Sequence, residues 1–316
     1  MKLIKKTAAL LIGFGGPTHP LEVKPFLRSV LEGITISKER LREVERYYMV
    51  VGGISLFNQV THRQKEGLEL YLKSRGVSLP VGVAFRHSAP TFLDAFQTFE
   101  KFKVEKVVGF VLASFRSRVS SERYHQKMEE GRTLARAHSM DVCYTNPFDQ
   151  SPLYFEAEME RVREVWDRWS AQEKETTFVI YTAHSIPTLM CEKSCLENQM
   201  RCYGFQFYEA AGALSRRLNI KQNWAIAYQS RSGNPKDFWL EPDVKDVIGR
   251  LDTSQFKRVL CVPIGFLCDN VEVVYDLDIE TKQSCEKSGL QYFRAATVGD
   301  HPKFIEMMGR QILEKV

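Results

Sequence analysis

Apolar residues along the chain fall into short, often β-branched runs separated by longer stretches of helical periodicity. The runs Ala8–Phe14, Pro80–Phe85, Lys106–Ala113, Asp141–Tyr144, Thr177–Ala183, Trp224–Tyr228 and Arg258–Phe266 predict strands. Between them, apolar positions recur with a helical period over Pro20–Leu31, Lys38–Tyr48, Val60–Arg75, Thr91–Phe102, Ser120–Ala137, Tyr154–Trp169, Phe205–Leu218 and Lys303–Glu314. Strands that are apolar throughout are buried on both faces, which is the signature of parallel sheets built from βαβ units. The alternation runs twice, and the polar break Asn146-Pro147-Phe148-Asp149-Gln150-Ser151-Pro152 separates the two runs. The expected architecture is therefore α/β, with two Rossmann-like units over residues 1–150 and 151–316.

Composition narrows the function classes without choosing one. Of the 316 residues 44% are apolar and 26% charged, which excludes a disordered tail or a small disulfide scaffold. The net charge of +5 is too small to point to a nucleic-acid partner, and leaves a peripheral contact with an anionic lipid surface open. The opening MKLIKKTAALLIGFGGP imitates a signal peptide, but Gly15-Gly16-Pro17 stands where a small-residue cleavage site is wanted. A buried first strand is the better expectation. No run of apolar residues is long enough to span a bilayer. Seven cysteines without a secretory signal are expected to be reduced thiols in the cytoplasm.

In open α/β sheets ligands bind beyond the carboxyl ends of the strands, so chemistry is sought there. After the first run, Gly13-Phe14-Gly15-Gly16-Pro17 lacks the spacing of a dinucleotide loop, but lets a flat ligand approach the backbone. After Thr177–Ala183 comes His184-Ser185-Ile186-Pro187, a histidine placed for proton transfer, with no G-x-S-x-G elbow around Ser185. After Arg258–Phe266, a helical Asp269–Glu280 would line up Glu272, Asp276 and Glu280 on one face. Apolar flanks leave no wide polar face there, and a sheltered carboxylate row suits a divalent cation or a proton path. Ser230 and Trp239 lie in a loop pairing polar groups with a large aromatic.

Together these segments resemble ferrochelatase, the family that inserts ferrous iron into a porphyrin in haem synthesis. The resemblance rests on Leu11–Pro17, on Tyr48 with Gly52-Gly53-Ile54-Ser55, and on Ala183–Pro187. It continues through Tyr228-Gln229-Ser230-Arg231, Trp239–Asp243, Pro263–Phe266, Asp269 with Glu272 and Asp276, and Arg294-Ala295 before Pro302. It implies His184 and Glu272 as a catalytic pair and His184, Glu272, Asp276 and Glu280 as the path of the substrate Fe²⁺. It also implies a porphyrin cleft lined by Phe14, Tyr48, Ser55, Arg86, His87, Ser230 and Trp239. A porphyrin carrier without chemistry is the rival of a different class, and an NAD-dependent enzyme a more distant one.

The chain departs from the family pattern at three points. Phe14 stands where coproporphyrin-type members carry tyrosine, and Asn270 where many members have histidine. With Pro25, Phe26, Leu27 and Leu31 as an apolar lip, Phe14 leads to protoporphyrin IX as the expected substrate and coproporphyrin III as the alternative. Third, Cys191, Cys195 and Cys202 follow the His184 loop. The resemblance to members with an internal cysteine segment implies a [2Fe–2S] cluster, with a fourth ligand from Cys143, Cys261, Cys268 or Cys285. Structural zinc and plain thiols are the other readings of the three cysteines.

Overall fold

The structure, a computed structural model, describes residues 6–32, 36–191, 201–232 and 237–316, without the side chains of residues 118 and 119. Four strands, β1 (Thr7–Gly13), β2 (Val81–Phe85), β3 (Lys106–Val111) and β4 (Asp141–Tyr144), form a parallel sheet in the order β2-β1-β3-β4. β5 (Thr177–His184), β6 (Trp224–Gln229), β7 (Arg258–Val262) and β8 (Gln291–Arg294) form a second in the order β6-β5-β7-β8. The two orders are the same pattern, as the repeated alternation in the sequence predicts.

Each sheet is covered on both faces, and successive residues of the central strands feed opposite cores. From β1, Ala8, Leu10 and Ile12 enter one core while Ala9 and Leu11 enter the other. From β5, Val179, Tyr181 and Ala183 face one side and Ile180 the other. The helix Pro302–Leu313 crosses back to the first sheet, where Phe304, Met308 and Ile312 pack with Leu11, Val108 and Phe110. The two halves are thereby locked together through their cores.

Differences from the expected elements have local causes. The run from Arg258 stops being strand at Val262 because Pro263 cannot donate to a ladder. β8 goes unforeseen because polar Gln291 and Arg294 bracket only two aromatic residues, Tyr292 and Phe293, too short a run to read as a strand. The helix Val244–Gly249, capped by the Asp243 side chain on Lys245 N–H, is too short to show a period.

Candidate active site

Strand ends of the first sheet build one wall. Gly15 has φ +86°, and a Cβ there would lie 2.3 Å from Ser88 Oγ and 2.8 Å from Phe85 Cβ, so only glycine fits. The Asn58 side chain accepts from Gly16 N–H at 2.9 Å and donates to Gly16 C=O at 3.2 Å, fixing the turn that presents Phe14. The Phe14 ring lies 4.5 Å from His87 and 6.1 Å from Phe26, with the Arg86 guanidinium 5.9 Å away. Arg86 and His87 leave the end of β2 and are pinned by backbone bonds to Gly13 and Phe14. Tyr48, on the helix Lys38–Val50, packs on Phe26 at 5.8 Å. Ser55 is buried behind Gly16, and its hydroxyl accepts from Phe57 N–H.

The second sheet supplies the other wall. His184 is the last residue of β5 and sits in register with Gln229 at the end of β6. Its Nδ1 is 2.5 Å from the Ser185 carbonyl, which can only accept. In the neutral ring Nδ1 therefore carries the proton and Nε2 the lone pair. Tyr203 hydroxyl donates to the His184 carbonyl at 2.9 Å and steadies that strand end. The Gln229 side chain donates to the Glu272 carbonyl at 3.1 Å, linking the His184 strand pair to the acidic helix. The Trp239 loop is laced to the residues after His184 by Thr188 N–H to Phe238 C=O and Leu240 N–H to Ile186 C=O.

The acidic segment is helical, but not as an ordinary α-helix. It is α over Val271–Val273, π over Val274–Thr281 and α again over Lys282–Lys287, and Asn270 caps it by accepting from Val273 N–H at 3.0 Å. A π-turn closes on i→i+5, so residues four apart fall just short of a full turn instead of just beyond one. Glu272, Asp276 and Glu280 thus remain on one side. Asp276 accepts from Ser230 hydroxyl, so Ser230 belongs to this row. Burial, with Glu272 and Glu280 beside it, pushes the Asp276 carboxyl up to about 7, against the Ser230 bond and the Lys245 charge. Lys245 Nζ closes the outer end of the row on Glu280 at 2.9 Å.

The two walls meet at Tyr48 and Glu272. Burial first, and then the Glu272 charge, hold the Tyr48 hydroxyl well above its ordinary pKa. Val271 packs into the same cluster as Phe26, Leu27 and Tyr48. Tyr47 stacks on Tyr275 with centroids 4.2 Å apart, and Arg40 donates to the Arg231 carbonyl at 2.6 Å. Gln229, Tyr203 and Lys245 were not singled out from sequence. Gln229 was legible as part of its four-residue motif, whereas Tyr203 and Lys245 carry no local signal.

The cysteines divide. Cys191 and Cys202 lie on one face of the second sheet beside Tyr228, and Cys195 falls outside the described residues. Cys261 and Cys285 are buried in the core of the opposite face, Cys143 lies in β4 of the first sheet, and Cys268 is buried beside Asp269 and Glu272. Among the described residues no three potential ligands come together. Those residues thus do not make the four-thiolate set of an iron–sulfur cluster, and no step is derived through one.

The sequence profile of Ferrochelatase matches residues 6–316. The chain belongs to the ferrochelatase family. This ferrochelatase is thus a porphyrin metal chelatase, of a family that takes porphyrin and ferrous iron in haem biosynthesis. It is similar to the coproporphyrin III ferrochelatase of Propionibacterium freudenreichii, with 34% identity over 307 residues, 95% of this chain and 84% of that protein. To the ferrochelatase of Rhodopirellula baltica it is 30% identical, over 97% of this chain and 85% of that one. Among solved structures, the sirohydrochlorin chelatase SirB of Bacillus subtilis subspecies spizizenii with cobalt aligns at TM-score 0.57 and 14% identity, over 98% and 94% of the two chains. SirB of Bacillus subtilis with Fe³⁺ aligns at 0.58 and 13%, over 98% and 95%. These likenesses carry the two-sheet chelatase fold. Among the described residues no helix is long and apolar enough to cross a membrane.

Proposed function

We propose that this ferrochelatase inserts Fe²⁺ into coproporphyrin III, with His184 and Glu272 as the central pair. Gln229 carries the proposal, because one residue pairs with His184 through the sheet and with Glu272 through its side chain. Metallation exchanges two pyrrole protons for one dication, so the site needs a base and a cation route. His184, with its Nε2 lone pair, supplies the base. Glu272, Asp276 and Glu280 supply the route, with Ser230 and Lys245 holding its middle and its outer end. Phe14, Tyr48, Arg86, His87 and Trp239 form the porphyrin walls in this reading.

The choice of coproporphyrin III over protoporphyrin IX has two supports. Several similar relatives bear the name coproporphyrin III ferrochelatase, among them those of Propionibacterium freudenreichii and Mycolicibacterium smegmatis. The apolar lip that favoured vinyl edges is also largely spent: Phe26 and Leu27 are each 4% exposed, packed against Tyr48 and Val271. Phe14 in place of tyrosine is then a substitution inside the coproporphyrin group. Competition between the two porphyrins for limiting Fe²⁺ under anaerobic conditions tests the choice. A higher kcat/KM for coproporphyrin III is expected, and equal or reversed values would return the substrate to protoporphyrin IX.

A further inference from the structure

Among the described residues, four that are not glycine have φ in the left-handed region: Lys103, Arg136, Asn219 and Ser230. The first three each follow the C-cap residue of a helix, where a left-handed residue ordinarily closes the last turn. Ser230 is different. It follows the strand β6, at φ +64°, so no helix end accounts for its conformation. A side chain with a Cβ is disfavoured there, and such strain persists only where the surroundings over-determine it.

Two contacts do so, and they run in different directions. On one side the Ser230 hydroxyl donates to Asp276, while Gln229 Nε2, bonded to the Glu272 carbonyl, lies 3.5 Å from Ser230 Oγ. On the other side the Arg231 carbonyl, just past the turn, faces the first wall and accepts from Arg40 Nη2 at 2.6 Å. Arg40 also donates to Glu43 at 2.7 Å, and Glu43 accepts from the Tyr47 hydroxyl. The Tyr47 ring stacks on Tyr275, the neighbour of Asp276. Both contacts therefore lead to the same carboxylate, one directly and one by way of the opposite wall.

We propose that Ser230 is a positioning residue whose left-handed turn fixes Asp276 on the cation route and pins that route to the opposite wall of the cleft. This rests on the route proposed above, and moves Ser230 from the porphyrin lining, where the family resemblance put it, to the metal side. The hydroxyl occupies one carboxylate oxygen of Asp276 and leaves the other to face an ion. Rotation about the Ser230 backbone swings its side chain and the Arg231 carbonyl relative to each other. A relaxed turn could not keep both contacts, which is why the strain is retained.

Two variants separate the hydroxyl from the turn. Ser230→Gly removes the hydroxyl but adopts the left-handed conformation freely, whereas Ser230→Ala removes it and keeps the Cβ that opposes that conformation. Anaerobic insertion of Fe²⁺ into coproporphyrin III would be followed for kcat and for both KM values. Both variants are expected to raise the KM for Fe²⁺ by about fivefold or more. Glycine should leave the porphyrin KM within about twofold of wild type. Alanine, whose turn relaxes and frees the Arg231 carbonyl from Arg40, should raise it by about threefold or more. Glycine milder than alanine reverses the order expected of a merely structural position, where the added freedom of glycine is the greater cost. A porphyrin KM raised as much by glycine as by alanine, or a KM for Fe²⁺ unchanged in both, would overturn the positioning role and leave the route standing. Near-normal turnover of Glu272→Gln in the same assay would overturn the route, and the role of Ser230 with it.

Discussion

Arg294 grips Asp278 through two near-parallel hydrogen bonds, Nε to Oδ1 at 2.7 Å and Nη2 to Oδ2 at 3.0 Å. Its remaining nitrogen donates to Asp269 Oδ1 at 3.0 Å. One guanidinium at the end of β8 therefore ties together the loop before the acidic helix and the π-turn within it. Pairing with both carboxylates holds the arginine above its ordinary pKa despite burial. The irregular backbone beneath the proposed metal route is thus held by a residue outside the row.

Arg294→Met removes that clamp and leaves two part-buried carboxylates uncompensated. The expected cost is about 1–3 kcal/mol of stability, below the value for a fully buried pair because Asp269 and Asp278 are each about one-third exposed. The KM for Fe²⁺ should rise more than the KM for porphyrin. Chemical denaturation together with steady-state kinetics in both substrates checks it, and equal changes in the two KM values would assign Arg294 to folding alone.

His184→Ala and Glu272→Gln should each lower kcat by about a hundredfold or more, the usual loss when an acid–base group is removed. Porphyrin affinity should stay within about threefold, because the walls at Phe14 and Trp239 are untouched. Near-normal turnover in either variant would remove that residue from the central pair.

The outer end of the acidic row makes a directional prediction. Lys245 occupies Glu280, so Lys245→Met should lower the KM for Fe²⁺, whereas Glu280→Gln should raise it. The effects should be modest, about two- to fivefold, since both side chains are partly exposed and screened. Shifts of the same sign in the two variants would contradict a cation route through Glu280.

Much of this arrangement was legible from the residues, for identifiable reasons. The strand runs are apolar throughout because both sheets are covered on both faces, and that pattern needs no tertiary knowledge to read. His184 stands out because it follows such a run directly, and Glu272 because it begins an acidic row a few residues beyond another. The π-turn was not legible: spacing of four places acidic side chains on one side of either kind of helix, and only the backbone distinguishes them. Nor could sequence place Lys245 on Glu280, since they lie on separate elements that the fold brings together. The lip failed for a related reason. Phe26 and Leu27 look like open apolar edges in sequence, but pack against Tyr48 and Val271 from elsewhere in the chain.

Glu158 gives the fold a pH dependence distinct from that of the site. It is 1% exposed on the helix Pro152–Trp166, and burial raises its carboxyl to about 8, against the hydrogen bond of Tyr154 and the charge of Arg161. The folded pKa lies above the unfolded one, so the folded state holds the proton through neutral pH. Stability from this group is fully present below the unfolded pKa and is lost as pH rises through about 8. Glu158→Gln keeps an uncharged hydrogen-bonding side chain of the same size and should be near neutral only at about pH 4, below the unfolded pKa. Its advantage over wild type should grow as pH rises from there and level off above about 8, reaching about 2–5 kcal/mol at pH 9, a Tm gain of several degrees. Thermal denaturation of both proteins across that range checks the sign, and parallel Tm curves for the two would show that Glu158 is already ionised in the fold.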